Sequence, residues 1–163
     1  MARVGLYGRN SGEAQSKAET IETQRRLLLE WAAKNEHEVV SWYGDEGVRS
    51  WVPVDERDEG GRLMRDAARG RLDLVAVYKL SRWSRRPHIW HEGRNALRAY
   101  GVPLVALCDD TSDGTPGERF SLNVRLLVNE YERDNIESQC LDGRYSWAAE
   151  GVIPVVSCPT GIR

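Results

Sequence analysis

The sequence predicts an α/β fold: a mostly parallel central sheet flanked by helices, followed by one long C-terminal helix. Short apolar runs at Arg3–Tyr7, Val39–Tyr43, Leu72–Tyr78 and Val102–Cys108 alternate with stretches whose apolar residues recur at helical spacing. The run LDLVAVY, Leu72–Tyr78, is the clearest strand. Beyond Glu118 no breaker other than Gly143 interrupts the chain to about Glu150. That predicts a helix on the order of 30 residues, where the usual globular length is about 11–12.

The elements follow in order. The first strand breaks at Gly8, and Asn10–Gln15 is small and polar, a loop. Ser16 with Glu19 makes a capping box, and Ile21, Leu27, Leu28, Trp31 and Ala32 give the following helix, Ala18–Lys34, one apolar face. Strand Val39–Tyr43 runs into a turn at Gly44-Asp45-Glu46-Gly47. Residues 48–56 are irregular and contain Pro53, and a short helix Gly61–Arg69 is closed by Gly70. After strand Leu72–Tyr78 comes a helix, His88–Tyr100, with Gly101 as its stop, then strand Val102–Cys108 and a polar loop, Asp109–Gly114. Thr115, Pro116 and Glu118 supply N-cap, first-turn proline and acid for the long helix. Phe120, Val124, Leu127, Val128, Tyr131, Cys140 or Leu141, Tyr145 and Ala148 run down it as an apolar stripe. The stripe outreaches a domain of this size and calls for a second copy of the chain. The other reading is two helices broken near Gly143 and packed on one chain.

Composition excludes several classes. The chain has 163 residues, 40% hydrophobic and 29% charged, which suits one soluble domain. It contains no bilayer-length apolar run and no signal-like start, so the expected location is the cytoplasm. Cys108, Cys140 and Cys158 form no Cys-x-x-Cys pair, which fits free thiols better than a disulfide framework or zinc site. A net charge of −2 rules out affinity for polyanions through bulk charge. Only Lys17, Lys34 and Lys79 of the 23 basic residues are lysine, so the placement of arginines matters more than their number.

In open parallel sheets, sites form beyond the carboxyl ends of the strands. Two segments qualify: Tyr7-Gly8-Arg9-Asn10-Ser11, and Lys79-Leu80-Ser81-Arg82-Trp83-Ser84-Arg85-Arg86. If the second opens a helical turn, Arg82 and Arg85 share a face. Guanidiniums beside a serine make a phosphate receptor, because the planar fork of N–H donors matches phosphate oxygens. Serine needs a base or an electrostatic device, and no histidine lies near Ser11 in sequence. His88 and His91 lack a third metal ligand, and Asp109, Asp110 and Asp113 read better as a loop before a helix than as a metal nuclease. No glycine-rich phosphate loop is present. From spacing alone, an ordinary loop serine with ordinary surface arginines fits as well.

The ordered set of motifs decides between them. Tyr7-Gly8-Arg9-Asn10-Ser11 resembles the Tyr-x-Arg-x-Ser start of resolvase/invertase-type serine recombinases. Thr20-Ile21-Glu22-Thr23-Gln24 is similar to the Ser-Ile-x-x-Gln of their first helix. Asp45-x-Gly47 with the later Arg57 resembles their Asp-x-Gly loop and following arginine. Leu74–Arg85 is similar to their strand and Lys-Leu-Asp-Arg-x-x-Arg signature, and Asn129–Arg133 to a Phe-Glu-Arg segment. The ending Pro159-Thr160-Gly161 resembles the linker of large serine integrases.

The resemblance implies a mechanism. Ser11 attacks the scissile phosphodiester and forms a 5′-phosphoserine bond; Arg9, Arg57, Arg82 and Arg85 hold the phosphate. Tyr7, Gln24, Ser81 and Asp45 support the site, and Arg133 and Lys79 touch DNA. It implies no metal and no high-energy cofactor, with double-stranded recombination sites and a homodimer that forms a tetramer on DNA as partners, and no membrane. The domains expected are a catalytic unit at 1–114, an interface helix at 115–150, and at 151–163 the start of a linker to a DNA-binding region. Two positions depart from the pattern: Ser81 where many members carry aspartate, and Asn10 where an apolar residue is usual. Ser81 motivates the alternative, a catalytically impaired domain that only oligomerises and binds DNA.

Overall fold

The computed structural model describes residues 1–10, 20–111 and 115–149, without the side chains of 133, 137, 140 and 142–149. Strands β1 (Arg3–Arg9), β2 (Glu38–Asp45), β3 (Leu74–Val77) and β4 (Leu104–Ala106) form one parallel sheet in the order β2-β1-β3-β4. Helices α1 (Ile21–Lys34), α2 (Asp58–Ala68), the short α3 (Leu80–Trp83), α4 (Pro87–Ala99) and α5 (Pro116–Ala149) flank it.

Side chains alternate across each strand, so the sheet carries two cores. On one face Val4, Leu6 and Ala76 pack with Leu28 and Ala32 of α1. On the other, Tyr7, Tyr43, Val75 and Val77 meet Leu63, Trp83, Trp90, Leu97, Leu122 and Leu126. Both tryptophans are fully buried. A single large apolar side chain buried in this way contributes roughly 1.5–3 kcal/mol.

Several expected boundaries move, each for a local reason. Thr20 is extended (φ −63°, ψ 159°) and its Oγ1 accepts the amide of Thr23 at 3.2 Å, so α1 starts at Ile21; the expected start at Ala18 lies outside the described residues. The Ser16–Glu19 box lies outside the described residues. Gly44 and Asp45 belong to β2 and not to a turn, because β1 pairs on through Gly8↔Gly44 and Arg9↔Asp45. Helix α2 opens at Asp58, three residues before the expected Gly61, because the Asp45 carboxylate receives the amides of Glu59 and Gly60, both at 3.0 Å. Strands β3 and β4 are shorter than their apolar runs.

The stops and caps read from sequence have physical counterparts. Gly70 and Gly101 end their helices at φ +68° and +74°. Thr115 and Glu118 cap α5 reciprocally: the Thr115 Oγ1 accepts the amide of Glu118 and Glu118 Oε2 accepts that of Thr115. The face of α5 that packs on the domain is Leu122 and Leu126, neither of them in the expected stripe. The stripe itself stands exposed, Phe120 at 71%, Leu127 at 57% and Tyr131 at 66%. Among the described residues no helix is long and apolar enough to cross a membrane.

Candidate active site

The end of β1 delivers Tyr7 and Arg9, two residues apart, to one face of the sheet. Tyr7 Oη donates to Asp45 Oδ2 at 2.9 Å and accepts from Arg57 Nη1 at 2.7 Å. Arg57 also donates from Nε and Nη2 to the carbonyl of Val52, at 3.0 and 2.7 Å. Asp45 thus ties together the end of β2, the phenol of β1 and the start of α2. Trp83 supports Tyr7 edge-on, ring centroids 5.5 Å apart.

Arg9 is all but buried, and its guanidinium is held by backbone oxygens alone among the described residues. Nε donates to the carbonyl of Arg82 at 3.2 Å, Nη1 to that of Val48 at 2.6 Å, and Nη2 to that of Ser81 at 3.0 Å. Its backbone is fixed by the buried Gln24, whose amide accepts from Arg9 N at 3.3 Å and donates to Arg9 O at 3.2 Å. Arg82 Nη1 reaches the same carbonyl at 3.4 Å.

The electrostatics follow from this crowding. Burial first, then the charges of Arg57, Arg82 and Arg85, push the Arg9 guanidinium down to about 9, partly offset by Tyr7. At neutral pH Arg9 stays a cation, held against its environment. Burial, opposed by the charge of Arg57, pushes the Tyr7 phenol above its ordinary range, so it is a neutral hydrogen-bonding group and not a base. Among the described residues neither Arg9 nor Arg57 has a carboxylate within ion-pair distance. A cluster of cations of this kind favours a multivalent oxyanion.

The structure gathers Tyr7, Arg9, Gln24, Asp45, Arg57 and Arg82 from the predicted set, with Ser81 joining through its carbonyl. It does not put Arg82 and Arg85 on one helical face: α3 ends at Trp83 and Ser84 is extended (φ −158°, ψ 152°). Arg85 is half-buried beyond that turn, near enough for its charge to act on Arg9. Lys79 precedes α3 with its ammonium 5.4 Å from the centre of the Tyr78 ring. Ser11 and the side chain of Arg133 lie outside the described residues. Asp109 is a cap, its Oδ2 receiving the amide of Leu80 at 2.7 Å, and His91 Nε2 pairs with Asn123 Oδ1 at 2.9 Å.

Sequence reasoning missed two kinds of participant. The carbonyls of Val48, Ser81, Arg82 and Val52 carry no signature, since every residue has one. Ser84 is fully buried, with its hydroxyl 3.0 Å from Ser50 O, and a lone serine among arginines gave no hint of it.

Comparison with known proteins adds to this geometry. A search of curated proteins finds no match. The fold is similar to the N-terminal catalytic domain of TP901-1 integrase, at 24% identity over 81% of this chain and 97% of that one, with a TM-score of 0.63. It is also similar to the C-terminal catalytic domain of ISC1926 TnpA, an IS607-like serine recombinase, at 17% identity, 76% and 80% coverage and a TM-score of 0.57. A resolvase family site-specific recombinase from Streptococcus pneumoniae is 26% identical over 91% of this chain and 99% of that one, with a TM-score of 0.59. Residues 4–153 match the family model described as Resolvase, N terminal domain, and the chain therefore belongs to the resolvase family.

Proposed function

We propose that this chain is the catalytic domain of a serine-type site-specific DNA recombinase, most like those of large serine integrases. One observation carries the reading: Arg9, at the end of β1 and held by the carbonyls of Val48, Ser81 and Arg82, and Arg57, bonded to Tyr7 of the same strand and to Val52 O, have no carboxylate in ion-pair distance among the described residues. Asn10 and Ser11 follow Arg9 directly in sequence. In this reading Ser11 Oγ attacks the scissile phosphorus, its proton passing to solvent. The bond from phosphorus to the 3′-oxygen breaks, and that oxygen takes a proton from water or from Arg82. Arg9, Arg57, Arg82 and Arg85 stabilise the charge on the five-coordinate phosphorus. The 5′-phosphoserine keeps the bond energy, so religation is the reverse attack by a 3′-hydroxyl and needs no energy-rich cofactor.

Residues 1–114 form the catalytic unit in this proposal, and 115–150 an interface helix. Residues 151–163 begin a linker to a DNA-binding region. The exposed stripe on α5 supports a homodimer that assembles to a tetramer on DNA, where strands are exchanged. Lys79 and Arg133 are the proposed DNA contacts outside the phosphate site.

The test is a denaturant-resistant adduct with fragmented host DNA. The expected adduct joins protein to a 5′ end, leaves a 3′-hydroxyl, is insensitive to chelators and disappears in Ser11→Ala. An adduct that persists in Ser11→Ala removes the proposed nucleophile. Dimers on DNA without any adduct favour an impaired, binding-only domain.

A further inference from the structure

Residues 46–53, between β2 and the turn at Val54–Glu56, form a strap across the arginine cluster. Three alternate carbonyls along it each accept from a different segment. Val48 O takes Arg9 Nη1 at 2.6 Å, Ser50 O takes the Ser84 hydroxyl at 3.0 Å, and Val52 O takes Nε and Nη2 of Arg57. Between them, Arg49 stacks over Trp51 at 4.8 Å. The strap turns at Arg49–Val52, where the Val52 amide donates to Arg49 O at 3.2 Å, and is a comb whose carbonyl teeth set the positions of two phosphate-site guanidiniums.

Two side chains fix the comb itself. Asn10 Oδ1 accepts the amide of Gly47 at 2.9 Å, while its own amide donates to Asp45 O at 3.1 Å. Gly47 has φ +70°, a conformation that suits glycine, so the turn and the tether arise together. At the middle of the strap, Ser84 binds Ser50 O and accepts the amide of Arg86 at 3.0 Å, joining the strap to the segment after α3. Asn10 is one of this chain's two departures from the motif it otherwise follows, and the bond to Gly47 gives that polar residue a use.

Counting donors shows which way the strap acts. A guanidinium has five N–H donors. To the described residues Arg9 commits three, to Arg82 O, Val48 O and Ser81 O. Arg57 likewise commits three, two to Val52 O and one to Tyr7 Oη. By that count each has about two donors not committed to the described residues. The strap orients both forks.

We propose that Asn10 and Ser84 are positioning residues, which clamp the 46–53 strap so that Arg9 and Arg57 present their remaining donors to one phosphate. The proposal rests on the phosphate-site reading above. Its test uses the full chain, labelled with nitrogen-15, and inorganic phosphate as the probe. The signals followed are the Nε–Hε groups of Arg9 and Arg57 and the exchange rate of the Gly47 amide. In the wild type, phosphate shifts both arginine signals. In Asn10→Ala and Ser84→Ala the phosphate Kd rises about fivefold, the loss expected for one hydrogen bond. The Gly47 amide exchanges faster in Asn10→Ala, while the signals of Arg3 and Arg62, bonded elsewhere, keep their wild-type positions. A melting curve confirms folding, and either variant alone suffices if the other unfolds. Wild-type affinity and unmoved arginine signals in the folded variants overturn the proposal. No response to phosphate in the wild type overturns the phosphate-site reading itself and takes the proposal with it.

Discussion

Arg57 donates to the phenolic oxygen of Tyr7 at 2.7 Å, and the same oxygen donates onward to Asp45 at 2.9 Å. This relay links β1, β2 and the start of α2 through three buried polar groups. Tyr7→Phe removes the central oxygen and leaves Arg57 Nη1 and one face of Asp45 without their partner. The expected loss is about 1–3 kcal/mol. At this chain length it lowers Tm by roughly 2–4 °C per kcal/mol. A urea midpoint equal to the wild type's would show that the relay adds no stability.

Arg9→Lys tests the fork and keeps the charge. A lysine ammonium is a point donor and cannot span the carbonyls of Val48, Ser81 and Arg82 as the guanidinium does. Formation of the covalent DNA adduct should slow on the order of 10²–10³-fold, the effect of losing one preorganised oxyanion donor. Single-turnover kinetics read it directly, and a near-wild-type rate would mean that Arg9 acts through charge alone or not at all.

The pair between Arg3 and Asp73 predicts an acid-limb effect. Hydrogen bonds from the Arg3 side chain and then its amide, with a smaller contribution from its charge, hold the Asp73 carboxyl down at about 2, against an ordinary 3.8. A depressed acid stabilises the fold above its unfolded value, and that contribution fades as pH falls from about 4 through 2. Both side chains are nearly half exposed, so salt weakens the effect. Asp73→Asn should lose less stability than the wild type across that window, measured by denaturant midpoints at low ionic strength. Parallel curves for the two proteins would refute it.

The parts of the site legible in the sequence were those whose spacing matches a regular element. Tyr7 and Arg9 share a face because β1 has period two, and Asp45 and Arg57 followed from an ordered motif. The condition on Arg82 and Arg85 is not met: spacing of three implies a shared face only if the helix continues, and Ser84 is extended. Gly44 and Gly47 look like breakers and predict a turn at Asp45, whereas strand pairing with β1 holds it. The strap was invisible, since its chemistry lies in backbone carbonyls. The burial of Leu122 and Leu126 was hidden because α5 carries apolar residues on more than one face.

Two glycines in helices should respond to alanine in opposite ways. A Cβ at Gly60 would collide with Val54 O, a backbone atom that cannot swing aside. Gly60→Ala should cost about 1–3 kcal/mol through overpacking and should loosen the start of α2, where the Gly60 amide meets Asp45. A Cβ at Gly117 meets nothing within 4 Å. Gly117→Ala should stabilise α5 by roughly 0.5–1 kcal/mol, the helix propensity difference. Thermal melts of the pair decide it: equal shifts of one sign would mean that neither local environment matters.

The two faces of α5 separate folding from assembly. Leu126 is fully buried against the domain, while Leu127 beside it is 57% exposed within the stripe of Phe120, Val124, Val128 and Tyr131. An exposed apolar stripe of that length is covered by a partner or becomes an aggregation site. If the partner is a second copy, Leu127→Glu keeps a good helix former but charges the interface. It should shift the sedimentation coefficient toward monomer and leave Tm at high dilution unchanged. Leu126→Ala should do the reverse, costing about 2–5 kcal/mol while leaving assembly intact in whatever fraction stays folded. A wild type that sediments as a monomer at every concentration, with and without DNA, would leave the stripe without its proposed partner. An oligomer indifferent to Leu127→Glu would place the contact on another surface.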